Sequence, residues 1–315
     1  VTAAAPGPAA CWIVTPMLRD TESLIRLRTE VIAACVGNET VDSVRFLVVD
    51  DSAGTDPDVD LLRRFDDVEI LTPPFNLGHQ RAIVFALRLL APRLAAHDVV
   101  VTMDSDGEDM PQDVPRLIDA LTSGAVLALA RRTKRSEHWK FRLMYVVYRT
   151  IFRVVTGTTV RTGNFAAQRA KSMEATIFHP SYDLCYSSTL LALRRPTSFV
   201  PCARGRRFAG ESRMNTTSLM IHGVRMLMPF SERIAVRMLV LASTCAMVLG
   251  GFLAAFGLGL VNGPMDTPTL AALAALVVAL VTSLTTFVVL FSGFSQSAAM
   301  AMKGFGWSDS LVDTD

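Results

Sequence analysis

Through its first half the chain alternates short apolar runs with segments of helical periodicity. Residues 11 to 16, Cys-Trp-Ile-Val-Thr-Pro, predict a buried strand stopped by Pro16, and a helical pattern from Leu24 to Val36 follows, with Ser23 or Thr21 as its cap. Val44 to Val49 predicts a second strand running into Asp50-Asp51-Ser52, Leu61 to Phe65 a short helix, and Val68 to Leu71 a third strand broken by Pro73-Pro74. Asn76-Leu-Gly78 opens a helix to about Leu90, ended by Pro92, and residues 98 to 103 form the next strand. Val114 to Leu121 reads as a helix and Val126 to Ala130 as a strand. Strands and helices in this alternation predict an α/β fold, a mostly parallel sheet with helices on both faces. Ligands of such sheets bind beyond the carboxyl ends of the strands.

Farther along, the pattern changes. Residues 139 to 155 are apolar with embedded cations; Arg142, Arg149 and Arg153 fall seven and four apart, on one helical face, joined by Trp139, Tyr145 and Tyr148. Such a helix either covers a core or lies in a membrane interface. Thr162-Gly163-Asn164-Phe165 predicts a tight turn before a helix from Gln168 to Met173. Ser218 to Ile234 is a second basic amphipathic stretch, with His222, Arg225 and Arg233, broken by Pro229. Val236 to Val261 and Leu270 to Phe294 hold no charged side chain except Arg237, and each is about 25 residues, enough to cross roughly 30 Å of hydrocarbon. The linker from 262 to 269 has no Lys or Arg, whereas Arg225, Arg233 and Arg237 flank the first run and Lys303 follows the second. The positive-inside bias predicts a transmembrane hairpin with both ends in the cytosol. Its presence favours the interfacial alternative for 139–155.

Composition sharpens this picture. A chain of 315 residues has room for one large or two ordinary domains. Net charge +2 and pI ≈ 8.4 provide no strong field for nucleic acid. Mean hydropathy of +0.36 is high for a soluble enzyme, and the excess lies after residue 235. The five cysteines show no CxxC pairing and no metal-ligand spacing, and predict reduced core thiols of a cytosolic compartment. The first residues, Val-Thr-Ala-Ala-Ala-Pro-Gly-Pro, lack the basic and apolar regions of a signal peptide. Arg heavily outnumbers Lys and Ala and Val abound, as in GC-rich bacteria. No GxGxxG or GxxxxGK[ST] occurs, so neither a dinucleotide fold nor a P-loop is supported.

Chemistry concentrates at residues 99 to 113, where β-favouring residues run into Asp104-x-Asp106, then Gly107, Glu108, Asp109, Pro111 and Asp113. Two carboxylates at a strand end can turn toward one point, and two hard oxygen donors suit Mg²⁺ or Mn²⁺ that also binds phosphate oxygens. Glu108 keeps the alternation as a candidate third ligand. The plainer alternative is a polar strand-to-helix turn capped by Asp113. Asp50-Asp51, Asn76-x-Gly78 and Asp104-x-Asp106 all sit at strand ends, which argues for one shared pocket. The run Arg131-Arg132-x-Lys134-Arg135 is either a solvated loop or a phosphate clamp, and its place after a strand favours the clamp. Arg206-Arg207-Phe-Ala-Gly210-Glu211-Ser212-Arg213 presents the same choice around a flexible glycine.

Four motifs carry a resemblance: Val48-Val-Asp50-Asp51-Ser52, Asn76-x-Gly78-x-x-x-Ala82, Asp104-Ser-Asp106-Gly-Glu108-x-x-Pro111, and Arg207-x-x-Gly210-Glu211-Ser212-Arg213. In their order and spacing the chain resembles family-2 glycosyltransferases of GT-A fold. With the hairpin, it looks most like the polyprenyl-phosphate branch related to dolichol-phosphate mannose synthase. The resemblance implies transfer of one sugar from a UDP- or GDP-linked donor to a polyprenyl phosphate, with inversion, at the cytosolic face of a bacterial inner membrane. It also leaves room for a homo-oligomer. Pro16 and the polar residues after it, Asp20 among them, would hold the base and ribose with Asp50 and Asp51. Asn76, Gly78, Asn164 and Ser212 would complete the substrate site. Asp104 and Asp106 would bind the metal through the diphosphate, with Glu108 where the family often has Gln. Arg131, Arg207 and Arg213 would contact phosphates; Arg213 stands where the family usually has Lys. Two departures stand out: the usual Asn-Glu-Glu reads Arg19-Asp20-Thr21, and the usual Gly-Asp or Gly-Ser reads Gly163-Asn164, which supplies no carboxylate base. The implied division is a nucleotide-sugar core at 1–138, an acceptor-side part with interfacial helices at 139–235, a transmembrane hairpin at 236–297 and a cytosolic tail at 298–315. The alternatives are a polysaccharide or glycolipid synthase, which usually needs Gln-x-x-Arg-Trp and more spans, and a non-catalytic membrane scaffold.

Overall fold

The computed structural model describes residues 9–121, 124–133, 139–209, 216–259 and 266–304, by backbone alone for 139–144, 216–218 and 290–304. Its strands are β1 (Ala10–Met17), β2 (Ser43–Asp50), β3 (Val68–Leu71), β4 (Val99–Thr102), β5 (Leu127–Arg132), β6 (Thr162–Arg169) and β7 (Thr197–Cys202). They form one seven-stranded sheet in the order β3-β2-β1-β4-β6-β5-β7, so the carboxylate-bearing β4 is central. β1 runs parallel to β2 and β4, β2 to β3, and β5 to β7, while β6 lies antiparallel between β4 and β5.

Period-two alternation gives each central strand two apolar faces. On one, Ile13, Phe46, Val48, Val99 and Val101 pack against Leu24, Leu27 and Val31 of α1 (Thr21–Cys35) and Leu117 of α3 (Val114–Asp119). On the other, Val14, Leu47, Val49 and Val100 meet Ile83, Ala86 and Leu87 of α2 (His79–Leu90). Each fully buried side chain of this kind contributes about 1.5–3 kcal/mol.

Several local expectations change. α1 begins three residues earlier than its apolar pattern, with Asp20 in the cap position and no side-chain cap bond. Thr21 is already helical, and its hydroxyl donates to Asp56 at 3.1 Å. Asp113 likewise makes no cap bond before α3; its carboxylate pairs with Arg116. The largest change is at Thr162-Gly163-Asn164-Phe165, expected as a turn, which begins β6. This stretch has few β-branched residues, but it continues into Ala166–Gln168, which pair with β4 on one side and β5 on the other, and Phe165, Ala166 and Ala167 are buried. Tertiary pairing overrides a weak local preference. The helix expected from Gln168 reduces to α5 (Ala170–Glu174), because Gln168 belongs to β6 and bonds Tyr186 and Arg195. β7 had no counterpart in the sequence reading. The 61–65 helix is a 3₁₀ turn at Val59–Arg64.

α4 (Trp139–Thr156), α6 (Tyr186–Ala192) and α7 (Thr216–Leu227) lead to α8 (Ser231–Gly257) and α9 (Thr267–Gly304). A separate cluster, Phe152, Val160, Cys185, Met226, Phe230 and Ile234, joins these helices. The rings of Phe152 and Phe230 meet edge to face at 5.4 Å. The 27 residues of α8 extend roughly 40 Å, and Val240, Met247 and Leu253 lie exposed along it, as do Val278 and Val288 along α9. Leu219–Gly257 and Thr267–Val289 are long and apolar enough to cross a bilayer. All five cysteines are free and buried.

Gly157 ends α4 with φ +73°, and a Cβ there would stand 2.6 Å from Nη2 of Arg237, whose Nη1 donates to the Val154 carbonyl at 2.5 Å. Gly157→Ala should destabilise the protein by about 1–2 kcal/mol. A lowered thermal midpoint in detergent is the expected result.

Candidate active site

Asp50 and Asp51 leave β2 beside Met17 of β1, where the Asp51 N–H donates to the Met17 carbonyl at 2.8 Å. Asp50 is fully buried, with one carboxylate oxygen accepting from the Ser52 N–H at 3.0 Å and the other unpartnered. The Asp51 carboxylate accepts from the N–H groups of Leu77 (2.6 Å) and Gly78 (2.9 Å), and Asn76 Nδ2 donates to its carbonyl at 2.7 Å. Two of the three polar clusters expected to share a pocket are therefore bonded to one another. Gly78 sits at φ +76°, a conformation suited to glycine, and so turns the chain into α2. Burial raises the Asp51 carboxyl despite those two N–H bonds. Pro16 is buried in β1 opposite Val49, and the Asp20 carbonyl accepts from the Leu24 N–H at 3.2 Å.

A chain of side chains links α2 to the third cluster. Gln80 accepts from the Ser187 N–H at 2.9 Å and donates to Asn164 Oδ1, and Asn164 Nδ2 donates to Asp104 Oδ1 at 3.1 Å. Thr102 fixes the Asn164 backbone by donating to its carbonyl at 2.5 Å. Asn164 thus orients Asp104 from β6, a contact that depends on β6 being a strand.

Beyond Asp104 the turn carries four carboxylates in six residues, Asp104, Asp106, Glu108 and Asp109. The segment after β7 lies against it. The Gly205 N–H donates to the Glu108 carbonyl and the Phe208 N–H to the Asp106 carbonyl, both at 2.9 Å, and the backbones of Arg204 and Asp109 pair as an isolated antiparallel β-bridge. Glycines permit this approach: a Cβ on Gly205 would strike the Gly107 carbonyl, and one on Gly107 would stand 2.7 Å from the Phe208 ring. Arginines follow from this docking. Arg207 Nη2 lies 2.6 Å from Asp106 Oδ2 and its Nε 3.2 Å from Glu108 Oε1, while Arg204 Nε donates to Glu108 Oε2 at 3.0 Å. Arg132 Nη2 reaches buried Asp109 at 3.4 Å. Arg131 is exposed, with no partner among the described residues. Ser212 and Arg213, with Lys134, Arg135, Gly210 and Glu211, lie outside the described residues.

Burial, and then the neighbouring Asp104 charge, push the Asp106 carboxyl up to about 6. The same two causes raise Asp109 far above the ordinary carboxylate range. Burial would raise Glu108 as well, but Arg204 and Arg207 outweigh it and hold that carboxyl low. Burial opposes the Arg132 charge, yet Asp109 and Asp104 outweigh it and raise its pKa. Both Glu108 oxygens are taken by arginines, and among the described residues no three Asp, Glu, His or Cys side chains converge on one ion position. The donor set that fits a cation is Asp104 with Asp106, two hard oxygens whose mutual repulsion a divalent ion would relieve.

Arg204 and Gln80 are not singled out by the sequence, and Asp109 and Arg132, though they stand in its acidic and basic runs, are not seen there as a pair. Alternation could have found Arg132, since it shares a face of β5 with Ala128 and Ala130 on the α1 side, whereas Arg131 follows Leu129. No local signal marks Arg204 or Gln80. A cavity of about 270 Å³ opens beside Gln80 between α2 and α7, lined by Gly78, His79, Ile221, His222 and Arg225.

The description "Glycosyl transferase family 2" applies to a family model that matches residues 12–184, more than half of the chain, and the chain belongs to that family. Its fold is the GT-A architecture expected, with two apolar helices appended. Among curated relatives, undecaprenyl-phosphate 4-deoxy-4-formamido-L-arabinose transferase of Edwardsiella ictaluri is 22% identical over 215 residues, covering 66% of this chain and 64% of that protein. The protein of the same name from Pseudomonas fluorescens is 24% identical over 230 residues, covering 69% of this chain and 58% of its own length. The chain thus spans less than two thirds of either relative. Glucosyl-3-phosphoglycerate synthase from Mycobacterium tuberculosis, solved with Mn²⁺, UDP and phosphoglyceric acid, superposes with a TM-score of 0.49 at 16% identity, covering 72% of this chain and 79% of that one.

A raised carboxyl pKa means that ionising the group costs the folded state more than the unfolded one. Asp109 therefore withdraws stability as pH rises from the ordinary carboxylate range toward neutrality. Asp109→Asn should unfold later than the parent chain at pH 8 in chelator, keep part of that advantage near pH 5 and lose it below about pH 4. Denaturant melts at the two pH values check this.

Proposed function

We propose that the chain is a membrane glycosyltransferase that moves one sugar from a UDP- or GDP-linked donor to a polyprenyl phosphate in a bacterial cytoplasmic membrane. The observation that carries this is the pair Asp104 and Asp106 at the end of the central strand, faced by Arg207, in a chain continuing into two bilayer-length apolar helices. The names of the curated relatives, undecaprenyl-phosphate sugar transferases, support the same acceptor class. The division proposed runs from a donor-binding core at 1–138 through an acceptor-side part at 139–235 to the hairpin at 236–297 and a cytosolic tail at 298–315.

Pro16, Asp20, Asp50 and Asp51 bind the base and ribose in this reading, and the bonded Asp51–Gly78 turn fixes the floor of that pocket. Asp104 and Asp106 would hold Mg²⁺ or Mn²⁺, and Glu108, the third ligand expected from the sequence, would join them only by releasing Arg204 and Arg207. When bound, that ion stabilises the charge of the leaving diphosphate. Asn164 keeps Asp104 oriented through its 3.1 Å bond and offers no carboxylate to take a proton. None is required, because a phosphate acceptor is already anionic at neutral pH. Its approach requires charge screening and in-line placement behind the anomeric carbon, which inverts that centre. Arg131, exposed at the end of β5, and Arg207, which pairs with either carboxylate or phosphate, supply the screening, with Arg213 and Ser212 from the loop that follows. The cavity between α2 and α7, lined by Arg225, offers the headgroup a way in from the membrane side.

A donor screen with purified protein and polyprenyl phosphate tests the reading. Asp104→Asn or Asp106→Asn should lower turnover by about three orders of magnitude, the loss of several kcal/mol of charge stabilisation. Arg207→Ala should cost roughly tenfold or more, seen chiefly in the dependence on lipid phosphate. Equal weakening of nucleotide binding would move Arg207 to the donor side, and full activity of both Asp variants in EDTA would sink the metal assignment.

The hairpin reading puts the start of α9 outside the cell and both chain ends inside. A cysteine at Thr267 should react with an impermeant maleimide on intact cells. The parent chain is the control, since its own five cysteines are buried. Labelling only after lysis would overturn the topology.

A further inference from the structure

The lower end of α8 carries a second concentration of positive charge that the transfer reaction does not use. A cavity of about 380 Å³ is lined by Thr156, Arg194, Glu232, Arg233, Val236 and Arg237. Its residues come from the end of α4, the turn after α6 and the first turns of α8; none belongs to the carboxylate site. Three guanidiniums face one carboxylate there, and among the described residues Glu232 pairs with none of them.

The three arginines are held differently. Arg237 is committed to the Val154 carbonyl at the end of α4. Arg233 donates through Nη2 to the Ala192 carbonyl at 3.0 Å and lies 5.6 Å from the Phe230 ring centroid, while its Nη1 is buried without a hydrogen-bond partner. Arg194 is exposed, held in a left-handed turn at φ 50°, with no partner among the described residues. The guanidiniums of Arg194 and Arg237 line the same cavity as Arg233, so like charges are crowded there. A membrane-anchoring arginine ordinarily reaches outward into headgroups and water. Here the guanidiniums converge on a cavity, with one donor desolvated and unspent. A buried unmet donor of a charged group is costly, and an anion entering the cavity removes that cost.

We propose that Arg194, Arg233 and Arg237 form a phosphate-binding site at the membrane surface, occupied by the headgroup of an anionic phospholipid. Three features select this ligand. The donors are guanidiniums, which match phosphate oxygens in pairs. The net positive charge favours a headgroup with net negative charge. The cavity opens at the base of the first apolar helix, next to Val236, where a headgroup sits when its acyl chains lie along the exposed face of α8. Because the same lipid touches α4, the turn after α6 and α8, its binding clamps the interfacial helix and the sheet-bearing part to the span.

The inference rests on α8 crossing a membrane, and the experiment separates the two. The full chain is purified in a nonionic sugar detergent and titrated with phosphatidylglycerol, phosphatidylcholine or inorganic phosphate, with thermal midpoint and native mass spectrometry as readouts. Phosphatidylglycerol should bind and raise the midpoint more than phosphatidylcholine does. Arg194→Gln and Arg233→Gln should each weaken it about tenfold, and Arg194→Lys should retain most of it. Arg194 is exposed and unpartnered, so its variant should fold as the parent does. Equal affinity for the two lipids, or no change in Arg194→Gln, would overturn the proposal. Saturation of the effect by inorganic phosphate, with nothing added by lipid, would assign the site to a soluble phosphate and overturn the lipid assignment. Carbonate extraction of membranes is the companion measurement. A chain that stays in the pellet without preferring phosphatidylglycerol sinks only this site, whereas a chain released to the supernatant sinks the span itself.

Discussion

Four carboxylates within six residues cannot all stay ionised and half-buried without compensating charge. That constraint, at the end of β4, organises much of the molecule. Asp106 and Asp109 carry its cost as raised pKa values, and Glu108 avoids it by pairing with arginines. The compensating charge comes from distant segments. Arg132 arrives from β5, and Arg204 and Arg207 arrive from the stretch after β7, which pairs its backbone with the carboxylate turn. Gly107 and Gly205 are small because two backbones meet there. The same electrostatic stress that would destabilise an inert protein makes a pair of oxygens ready for a divalent ion.

Reversal of β6 provides the second organising element. Inserted antiparallel between β4 and β5, it brings Asn164 beside Asp104 and Gln168 beside Tyr186. Gln80 then ties this strand to α2, whose first turn is held by Asp51. The Asp51–Gly78 turn and the Asp104 carboxylate are consequently parts of one bonded chain, so their spacing is set by the sheet and not by flexible loops.

The joint to the membrane helices is built on different physics. Phe152, Met226, Phe230 and Ile234 make a small apolar cluster of their own, separate from both faces of the sheet. Arg237 over Gly157 adds a polar latch between α4 and α8. The sheet-bearing part is thereby fixed to helices whose outward described surface is apolar and exposed, which suits contact with lipid.

Much was legible from residue order alone, because hydrophobic periodicity reports which faces a segment buries. The expected bounds of β1 to β5, α1, α2 and α4 lie within a few residues of those observed, while α8 starts five residues before its apolar run and α9 continues ten residues past its own. Asp50, Asp51, Asn76, Gly78, Asp104 and Asp106 stand out in the sequence as polar residues following apolar runs, and the structure places them at or just beyond strand ends or at the start of α2. What the sequence could not decide was contact between segments far apart in it. Thr162–Arg169 reads locally as turn and helix, and becomes a strand only because two neighbours saturate its hydrogen bonds. β7 is short and half exposed, with too little alternation to announce itself. Which of Arg131 and Arg132 meets a carboxylate depends on strand parity, and the roles of Gln80 and Arg204 depend on partners 84 and 96 residues away. Periodicity is a property of neighbours along the chain. The pairing of charges in the site is a property of neighbours in space, and only the folded sheet brings those together.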